Sequence, residues 1–346
     1  MKRIFMLLVS FLLSANIFTA SADNQQKDPF LTRSFPASTI KDVEVATSGG
    51  SITVNGDASA EAIIEVFVTR DGWRDRWSAE KIKEMLDEHY TLDIKVENGT
   101  LYATAKRKPS FSMSGSSLSI SFRISVPNRV NSKLNTSGGS IHISGLTGSQ
   151  DFKASGGSLH IENLSGNISG RTSGGSITVT GSNDNIDLAT SGGSITAKEC
   201  SGKIVLKTSG GSLKLSDLNG NIDAATSGGS INASNVSGTL KTGTSGGSVK
   251  IGQASGNVDA RTSGGSMTVE MDSVNEYVKL SNSGNMNLTL PEGNGYNLNI
   301  QANKIETSGL NNFRGNMESK KLEGTVGNGG PDIEVKSSQR VNLSFK

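Results

Sequence analysis

Residues 173–190 read Ser173-Gly-Gly-Ser-Ile-Thr-Val-Thr-Gly-Ser-Asn-Asp-Asn-Ile-Asp-Leu-Ala-Thr190, and this 18-residue stretch decides the fold. Its opening motif, Ser-Gly-Gly-Ser, recurs with a constant period equal to the length of that stretch, beginning at Ser137, Ser155, Ser173, Ser191, Ser209, Ser227, Ser245 and Ser263. An unbroken period of this length is typical of repeat proteins, in which each unit packs on the next.

Each unit contains two short alternations of apolar and polar residues. In the quoted unit, Ile177 and Val179 alternate with polar neighbours, and the same pattern returns half a unit later. Because alternation with a period of two is typical of half-buried strands, each unit is predicted to contain two strands and two turns. Gly174 and Gly175 are assigned to one turn, where a positive φ is readily adopted only by glycine, and a glycine such as Gly166 to the other.

Positions one unit apart form columns of uniform chemistry. The two columns expected to face inward are aliphatic throughout: Ile141, Leu159, Ile177, Ile195, Leu213, Ile231, Val249 and Met267 in one, and Ile168, Ile186, Ile204, Ile222, Leu240 and Val258 in the other. The neighbouring outward column is polar throughout: His142, His160, Thr178, Thr196, Lys214, Asn232, Lys250 and Thr268. Such columns predict strands that pair in parallel about 4.8 Å apart. The predicted fold is all-β: a parallel β-solenoid, a flattened two-sheet β-helix with 18-residue coils.

Two other repeat architectures fit the period but not the residues. A left-handed hexapeptide helix requires an aliphatic residue at every sixth position, whereas the series from Ile168 continues with Gly174 and Thr180. A calcium-binding nonapeptide roll would require Gly in place of Ile177 and Asp in place of Val179. Both alternatives are therefore set aside.

Residues 1–22 have the pattern of a secretory signal peptide. Lys2 and Arg3 precede an apolar run over residues 4–13, and Ala20-Ser-Ala22 is a cleavage motif that makes Asp23 the expected mature N-terminus. The run is shorter than the roughly 20 residues that span a bilayer. We therefore expect export through the Sec pathway to the periplasm, the outer-membrane surface or the medium, with no transmembrane segment after removal of the signal.

Three segments follow the signal peptide. Residues 28–132 are predicted to form an N-terminal β-rich capping region with one helix over residues 78–89, for which Ser78 is a suitable N-cap. Residues 133–272 are the regular repeats, and residues 273–346 are degenerate repeats and a C-terminal cap. A stray copy of the motif, Thr47–Ile52, indicates that the same architecture begins within the first segment.

Charge and cysteine content restrict the class of partner. The chain has 34 basic and 32 acidic residues, and removal of Lys2 and Arg3 with the signal leaves equal numbers. Because nucleic-acid binding favours basic surfaces, no nucleic-acid partner is predicted. Cys200 is the only cysteine, so no disulfide can form within the chain, and its place in an apolar column predicts a buried thiol.

Two sets of outward residues are candidates for chemistry. His142 and His160 lie one unit apart and could share a divalent metal, but two histidines leave a zinc site half complete. A solvated surface pair is favoured, and no metal or cofactor is predicted.

Asp187, Asp223 and Asp259 lie on alternate units, about 9.6 Å apart, just beyond the ~6.5–9.5 Å carboxylate spacing of inverting glycosidases. On a flat solvated face they are poor general acids, so no catalytic residue is predicted.

Two further features indicate binding. Trp73, Arg74, Arg76 and Trp77 form the densest aromatic and basic cluster, a composition common at contacts, and are the candidate ligand contacts, although packing of the two tryptophans against the neighbouring helix is the favoured interpretation. The Thr-Ser pairs before each Gly-Gly form ladders of hydroxyls. These ladders are expected to hydrogen-bond along the stack and cap the turns, or else to present a hydroxyl array to a repetitive polymer.

Several of these residues also carry a family resemblance. Residues 43–54, the strand Phe122–Pro127 and the Ser-Gly-Gly-Ser-Ile repeats resemble the bacterial cell-envelope adhesin family of β-strand-repeat proteins, a domain of unknown function. The resemblance covers most of the chain after the signal. It implies an exported, solenoid-like protein without established catalytic residues, and no site residue is carried over from it.

The expected function follows from these features together. We expect an exported, non-enzymatic β-solenoid that acts as an adhesin, or as a binding or structural element of the bacterial cell envelope, with a cell-surface polymer or an envelope protein as partner. The alternative is a carbohydrate-active enzyme on a β-helix that acts on envelope or extracellular polysaccharide. Such an enzyme needs a groove lined by carboxylates or basic residues, and the unbroken 18-residue register contains no insertion to build one.

Overall fold

The computed structural model describes residues 28–70, 78–108 and 117–346, and these residues form an all-β fold with one α-helix. Hydrogen bonds join their strands into one large mixed sheet. The strands are β1 (Leu31–Pro36), β2 (Asp42–Thr47), β3 (Ile52–Asn55), β4 (Glu61–Arg70), β5 (Tyr90–Glu97), β6 (Thr100–Arg107), β7 (Leu118–Ser125), β8 (Asn131–Thr136), β9 (Ile141–Ser144), β10 (Thr147–Ala154), β11 (Leu159–Glu162), β12 (Ser165–Thr172), β13 (Ile177–Thr180), β14 (Asn183–Thr190), β15 (Ile195–Lys198), β16 (Ser201–Thr208), β17 (Leu213–Thr226), β18 (Ile231–Thr244), β19 (Val249–Thr262), β20 (Met267–Asn282), β21 (Met286–Leu290), β22 (Tyr296–Gln301), β23 (Lys304–Ser308), β24 (Phe313–Met317), β25 (Lys321–Val326), β26 (Asp332–Ser337) and β27 (Arg340–Phe345). The helix α1 spans Ala79–His89, and a short 3₁₀ helix spans Ala37–Thr39.

The regular repeats form two ladders of parallel strands with a constant offset of one unit. In one ladder Ile186 pairs with Ile168 and with Ile204. In the other, Ile195 pairs with Ile177 in the same way. In β17, β18 and β19 the two halves of a unit join into one 14-residue strand, and β20 has 16 residues. The aliphatic columns of both ladders are buried and belong to one continuous core, so the predicted columns and their register are confirmed.

The second glycine of each Gly-Gly pair is required by a close backbone contact between units. A Cβ on Gly175 would lie 2.2 Å from the backbone oxygen of Gly157 in the preceding unit, which no real contact allows. A Cβ on Gly174 would have its nearest neighbour, the Gly156 oxygen, at an ordinary 3.5 Å. Neither residue has a positive φ. The prediction that this turn needs glycine for its φ is therefore wrong: it needs glycine for space.

The other turn does use left-handed backbone, at two positions in each unit. Gly166 has a φ of 108°, and Gly202 and Gly220 repeat this conformation with 105° and 123°. A further left-handed position is occupied mostly by residues with side chains, including Glu199 at 55° and Asp217 at 57°. The glycine assignment at this turn is confirmed, and the second left-handed position is a feature that the sequence did not indicate.

The first part of the chain joins the stack out of chain order. β2 pairs in parallel with β8 on one side and β6 on the other, and β3 pairs likewise with β9 and β7. The stray motif copy therefore lies directly beside the first regular copy: the Ile52 N–H donates to the Ser140 oxygen with an N···O distance of 3.0 Å. The same stacking does begin within the first segment, as its motif indicated.

Antiparallel strands cover the outer side of this end. β5 pairs with β6, β4 pairs with β7, and β1 pairs with β4, all antiparallel. Helix α1 contacts β5, and its N-cap Ser78 accepts a hydrogen bond from the Lys81 N–H at 3.3 Å. Across the described residues, no helix has the length and apolar character needed to cross a membrane.

The last part of the chain is also inserted into the stack. β26 pairs in parallel with β20 and with β22, which precedes it in the chain, and β27 pairs in parallel with β21 and β23. β25 then pairs antiparallel with β22 and with β24 at the outer edge. The expectation of a parallel sheet is therefore wrong at both ends, where chain segments reverse direction to cover the exposed strand edges.

The Gly175 contact yields a stability prediction with a matched control. Gly175→Ala should destabilise the protein by about 2 kcal/mol or more, because the added methyl group overlaps the Gly157 carbonyl. Gly174→Ala should stay within about 1 kcal/mol of the wild type, because its methyl group has room and alanine reduces the entropy of the unfolded chain. Urea denaturation of both variants measures the difference, and equal midpoints would contradict the close-contact explanation.

Candidate functional site

A groove runs along the sheet where the strands of the ladder that contains Ile168, Ile186 and Ile204 end. Most strands contribute three consecutive residues around their ends: a variable outward residue, a buried threonine, and the first serine of the Ser-Gly-Gly-Ser motif that follows, with Ala154 in place of the threonine beside Lys153. The main stretch has a volume of about 650 Å³ and is lined by Lys153, Ala154, Arg171, Thr172, Ser173, Ala189, Thr190, Ser191, Lys207, Thr208, Ser209, Ala225, Thr226 and Ser227. We call this feature the groove; it crosses the units instead of lying within one.

The groove continues into the N-terminal units. A second stretch of about 340 Å³ shares Lys153 and Ala154 with the first and extends past Asn135 and Ala46 to Lys106. Together the two stretches cross eight units, from β6 to the end of β17. The expectation that a regular register cannot form a groove is therefore wrong, because strand ends create one without any insertion.

The threonines form the floor of the groove and hold the units together. The Thr190 hydroxyl donates to the Gly175 oxygen, in the Gly-Gly turn that begins its own unit, at 2.7 Å, and accepts from the Gly193 N–H, in the turn that begins the next unit, at 3.3 Å. The same donation recurs at 2.7 Å from Thr172 and from Thr208. These threonines are buried, so the predicted role in stacking and turn capping is confirmed for them.

The two serines of each motif have different environments. The hydroxyl of the second serine accepts a backbone N–H from the next unit, as Ser194 accepts from Ser212 at 3.1 Å. The first serine, represented by Ser191 and Ser209, is exposed on the wall of the groove. Within the described residues, the hydroxyls of this first column in the groove form no intramolecular hydrogen bond. One serine column is therefore structural, and the other is available to a ligand.

The opposite wall carries the positive charge of the groove. Lys153 lies 3.8 Å from the Asp151 carboxylate, and Arg171 forms a 2.5 Å ion pair with Asp187 of the next unit. Among the described residues, no carboxylate lies within ion-pair distance of Lys207. No lining residue of the groove is acidic. The sequence signal for this wall was the column at 153, 171, 189, 207 and 225, which contains only Lys, Arg and Ala, and the sequence interpretation did not use it.

The acidic column lacks the arrangement that hydrolysis needs. Asp187 is bound by Arg171, and Asp259 lies 3.2 Å from Arg261. Asp223 pairs in register with Val205 and Lys241, so no second carboxylate lies beside it in its column. Glycoside hydrolysis by the usual route requires two carboxylates that flank one bond. The geometry of these three residues gives no support to a catalytic pair.

His142 and His160 stack face to face on the outward side of the other ladder. Their ring centroids are 4.5 Å apart with an interplanar angle of 8°. Partial desolvation lowers the pKa of His142, as does the neighbouring His160, while the Glu162 carboxylate acts in the opposite direction. Across residues 28–70, 78–108 and 117–346, no group of three potential metal ligands occurs.

Two candidates remain, the thiol of Cys200 and the aromatic and basic cluster at residues 73–77. Cys200 is buried, its sulfur lies 3.2 Å from the Lys198 backbone oxygen, and burial raises the pKa of its thiol. The predicted packed thiol is confirmed. The predicted ligand contacts Trp73, Arg74, Arg76 and Trp77 lie outside the described residues, and their role stays a prediction.

No family model matches the chain, and no curated protein matches it by sequence. Among solved structures, a "putative cell adhesion protein" from Clostridium sporogenes is 9% identical with a TM-score of 0.23, covering 91% of this chain and 99% of that chain. A "putative lipid binding protein" from Parabacteroides distasonis is 15% identical with a TM-score of 0.28, covering 92% and 97%. A "putative adhesin" from Bacteroides fragilis is 13% identical with a TM-score of 0.24, covering 91% and 96%. At TM-scores this low the similarity carries no argument, so the groove is interpreted from its own chemistry.

The stacked histidines generate a pH prediction. His160→Thr, which introduces the residue found in the next unit, should move the pKa of His142 upward toward its ordinary value, because the like charge and part of the desolvation are removed. Lys214→Thr serves as the control, since it removes a charge from the same column four units away, about 19 Å and beyond the Debye length. NMR titration of the His142 ring gives both values.

The sign of the associated stability change is fixed by linkage. A histidine whose folded-state pKa is lowered destabilises the fold as pH falls from its unfolded value, about 6.5, through the folded value. His160→Thr should therefore reduce the loss of stability in that window. An unchanged or lower His142 pKa in this variant would contradict the electrostatic account.

Proposed function

We propose that the protein is an exported, non-enzymatic β-solenoid that acts as a binding or structural element of the bacterial cell envelope. In this proposal the 18-residue units form a flattened two-sheet solenoid, supported by the two parallel ladders that share one core. Export is supported by the signal-like pattern of residues 1–22, which precede the described part of the chain.

The groove is the observation that carries the binding role. It crosses eight units, stays open to solvent, and is lined by hydroxyl groups. The hydroxyls of one serine column form no hydrogen bond within the described part of the chain. Sites for small molecules are usually enclosed and mostly apolar pockets. A long, open and polar groove is therefore better suited to an extended polymer. The proposed partner is therefore a polymer of the cell surface or envelope.

The enzymatic alternative has one observation in its favour, namely the presence of a groove with basic residues. That groove contains no carboxylate among its lining residues. Of the aspartates two residues before lining positions, Asp187 is bound by Arg171 and Asp151 lies near Lys153, while Asp223 has no second carboxylate beside it in its column. A carbohydrate-active enzyme of the usual acid–base type would need both a general acid and a second carboxylate. We therefore propose binding without turnover.

A substitution that fills the groove tests the binding role. In the mature chain, Ala189→Trp should reduce binding to isolated envelope polymer at least tenfold, because a large ring replaces the small residue between Arg171 and Lys207. Thr196→Trp is the matched control, since it places the same ring on an outward position of the other ladder in the following unit. Sedimentation with envelope fractions measures binding, and circular dichroism checks that both variants fold.

Three outcomes would contradict the proposal. Wild-type protein that binds no envelope fraction would remove the binding role, and equal loss in both variants would remove the groove as its site. Release of new reducing ends from the polymer by wild type, lost in Asp223→Asn, would establish the enzymatic alternative instead.

A further inference from the structure

We propose that the groove binds a linear acidic polysaccharide whose carboxylates are held by Lys106, Lys153, Arg171 and Lys207. This inference rests on the proposed binding role and names the ligand class for the same site. It is carried by the charge of the lining, the placement of Lys207, and the column of serine hydroxyls in the groove.

The groove is basic although the mature chain as a whole is balanced in charge. Its lining contains four cationic side chains and no acidic one. The remaining charged residues of the described chain are frequently paired, as Lys279 is with Glu334 and Arg261 with Asp259. Within the groove, Lys153 and Arg171 have carboxylate partners, whereas Lys106 and Lys207 have none among the described residues. An open channel that contains four cations, two of them without a carboxylate partner, favours a ligand with repeated negative charge.

Lys207 is the best placed of these cations. Two residues before it in its strand is Val205, at the position where other units have Asp151, Asp187 or Asp259. No carboxylate among the described residues therefore pairs with Lys207, and its side chain is exposed. A ligand carboxylate at this point would gain a charge-assisted hydrogen bond without displacing an internal partner.

Small residues on both sides of Lys207 make room for that ligand group. The neighbouring units have Ala189 and Ala225 at the same position, so the wall is low on either side of the lysine. Arg171 closes the recess on one side, two units or about 9.6 Å from Lys207. Its guanidinium is already bound to Asp187, which fixes its position. The recess therefore has a rigid cation at one end and a free cation at the other.

The facing wall explains why a glycan fits better than other polyanions. Ser173, Ser191 and Ser209 present unpaired hydroxyls at intervals of one unit, which can donate to and accept from sugar hydroxyls. Single-stranded nucleic acid is usually held by stacking on aromatic rings, and none lines the groove. An acidic peptide would gain most from adding to an open strand edge, whereas the strands below the groove are paired on both sides.

The length of the site sets a second expectation. Eight units correspond to seven strand spacings of about 4.8 Å, a length of about 34 Å. The affinity for acidic oligosaccharides should therefore rise with chain length and level off once the oligomer spans that distance. A compact acidic sugar should bind weakly, because it reaches at most two neighbouring cations such as Lys153 and Arg171.

The test compares two lysines in the same strand. Lys207→Gln should weaken binding of polygalacturonate about fivefold at low salt, the scale of an exposed ion pair of up to about 1 kcal/mol. Lys203→Gln makes the same charge change in β16 on an exposed residue outside the groove, and should change the affinity less than twofold. Calorimetric titration of the mature chain also compares the carboxyl-reduced, neutral form of the same polymer, which should bind at least tenfold more weakly.

Each outcome is decisive for the ligand class. Three results would overturn the assignment of an acidic polysaccharide. They are equal affinity for the acidic and the neutral polymer, equal effects of the two lysine variants, and tighter binding of single-stranded DNA than of polygalacturonate. If neither glycan binds while envelope fractions still bind in a manner sensitive to Ala189→Trp, the ligand class is wrong and the proposed function stands. If no fraction and no glycan binds, the proposed function itself fails.

Discussion

The structure depends on a backbone contact between consecutive units at the second glycine of each Ser-Gly-Gly-Ser motif. There the chain of one unit lies so close to the carbonyl of the preceding unit that no Cβ fits. The contact fixes the 18-residue register, because one residue of slippage would bring a side chain to the same place and turn the aliphatic columns outward. The threonine and second-serine hydrogen bonds then reinforce a register that the glycines impose.

The same register determines where function can lie. Since the aliphatic columns fill the core and the second serines bond to the next unit, only the outward positions vary freely. Along the main stretch of the groove these positions are Lys, Arg or Ala, and beside them lies a column of serines whose hydroxyls have no hydrogen-bond partner among the described residues. A regular stack thus creates a continuous groove in which chemistry is set by one residue per unit. Recognition of a polymer requires no insertion in such a stack.

The sequence predicts the centre of the molecule much better than its ends. A constant period places Ile168, Ile186 and Ile204 in one column without any knowledge of tertiary structure, and the structure pairs them so. It does not reveal that β2 and β3 lie beside β8 and β9, because nothing in the intervening residues states which strand will be the neighbour. The groove was not predicted because the outward residues that line it, such as Lys153, Arg171 and Ala189, differ from one unit to the next. Their shared position becomes evident only when the units are aligned in a column. The glycine pair was located correctly but explained by the wrong property.

Cysteine cross-linking tests the stacking order most directly. In a Cys200→Ser background, cysteines at Thr53 and His142 replace residues that pair in register, so their Cα atoms lie about 4.8 Å apart, within the ~4.4–6.8 Å range for a disulfide. Cysteines at Thr53 and His160 lie two units apart, about 9.6 Å, and cannot be bridged. The account predicts rapid, near-complete oxidation of the first pair and none of the second, measured by mass spectrometry of proteolytic fragments. Cross-linking of the second pair in preference to the first would contradict it.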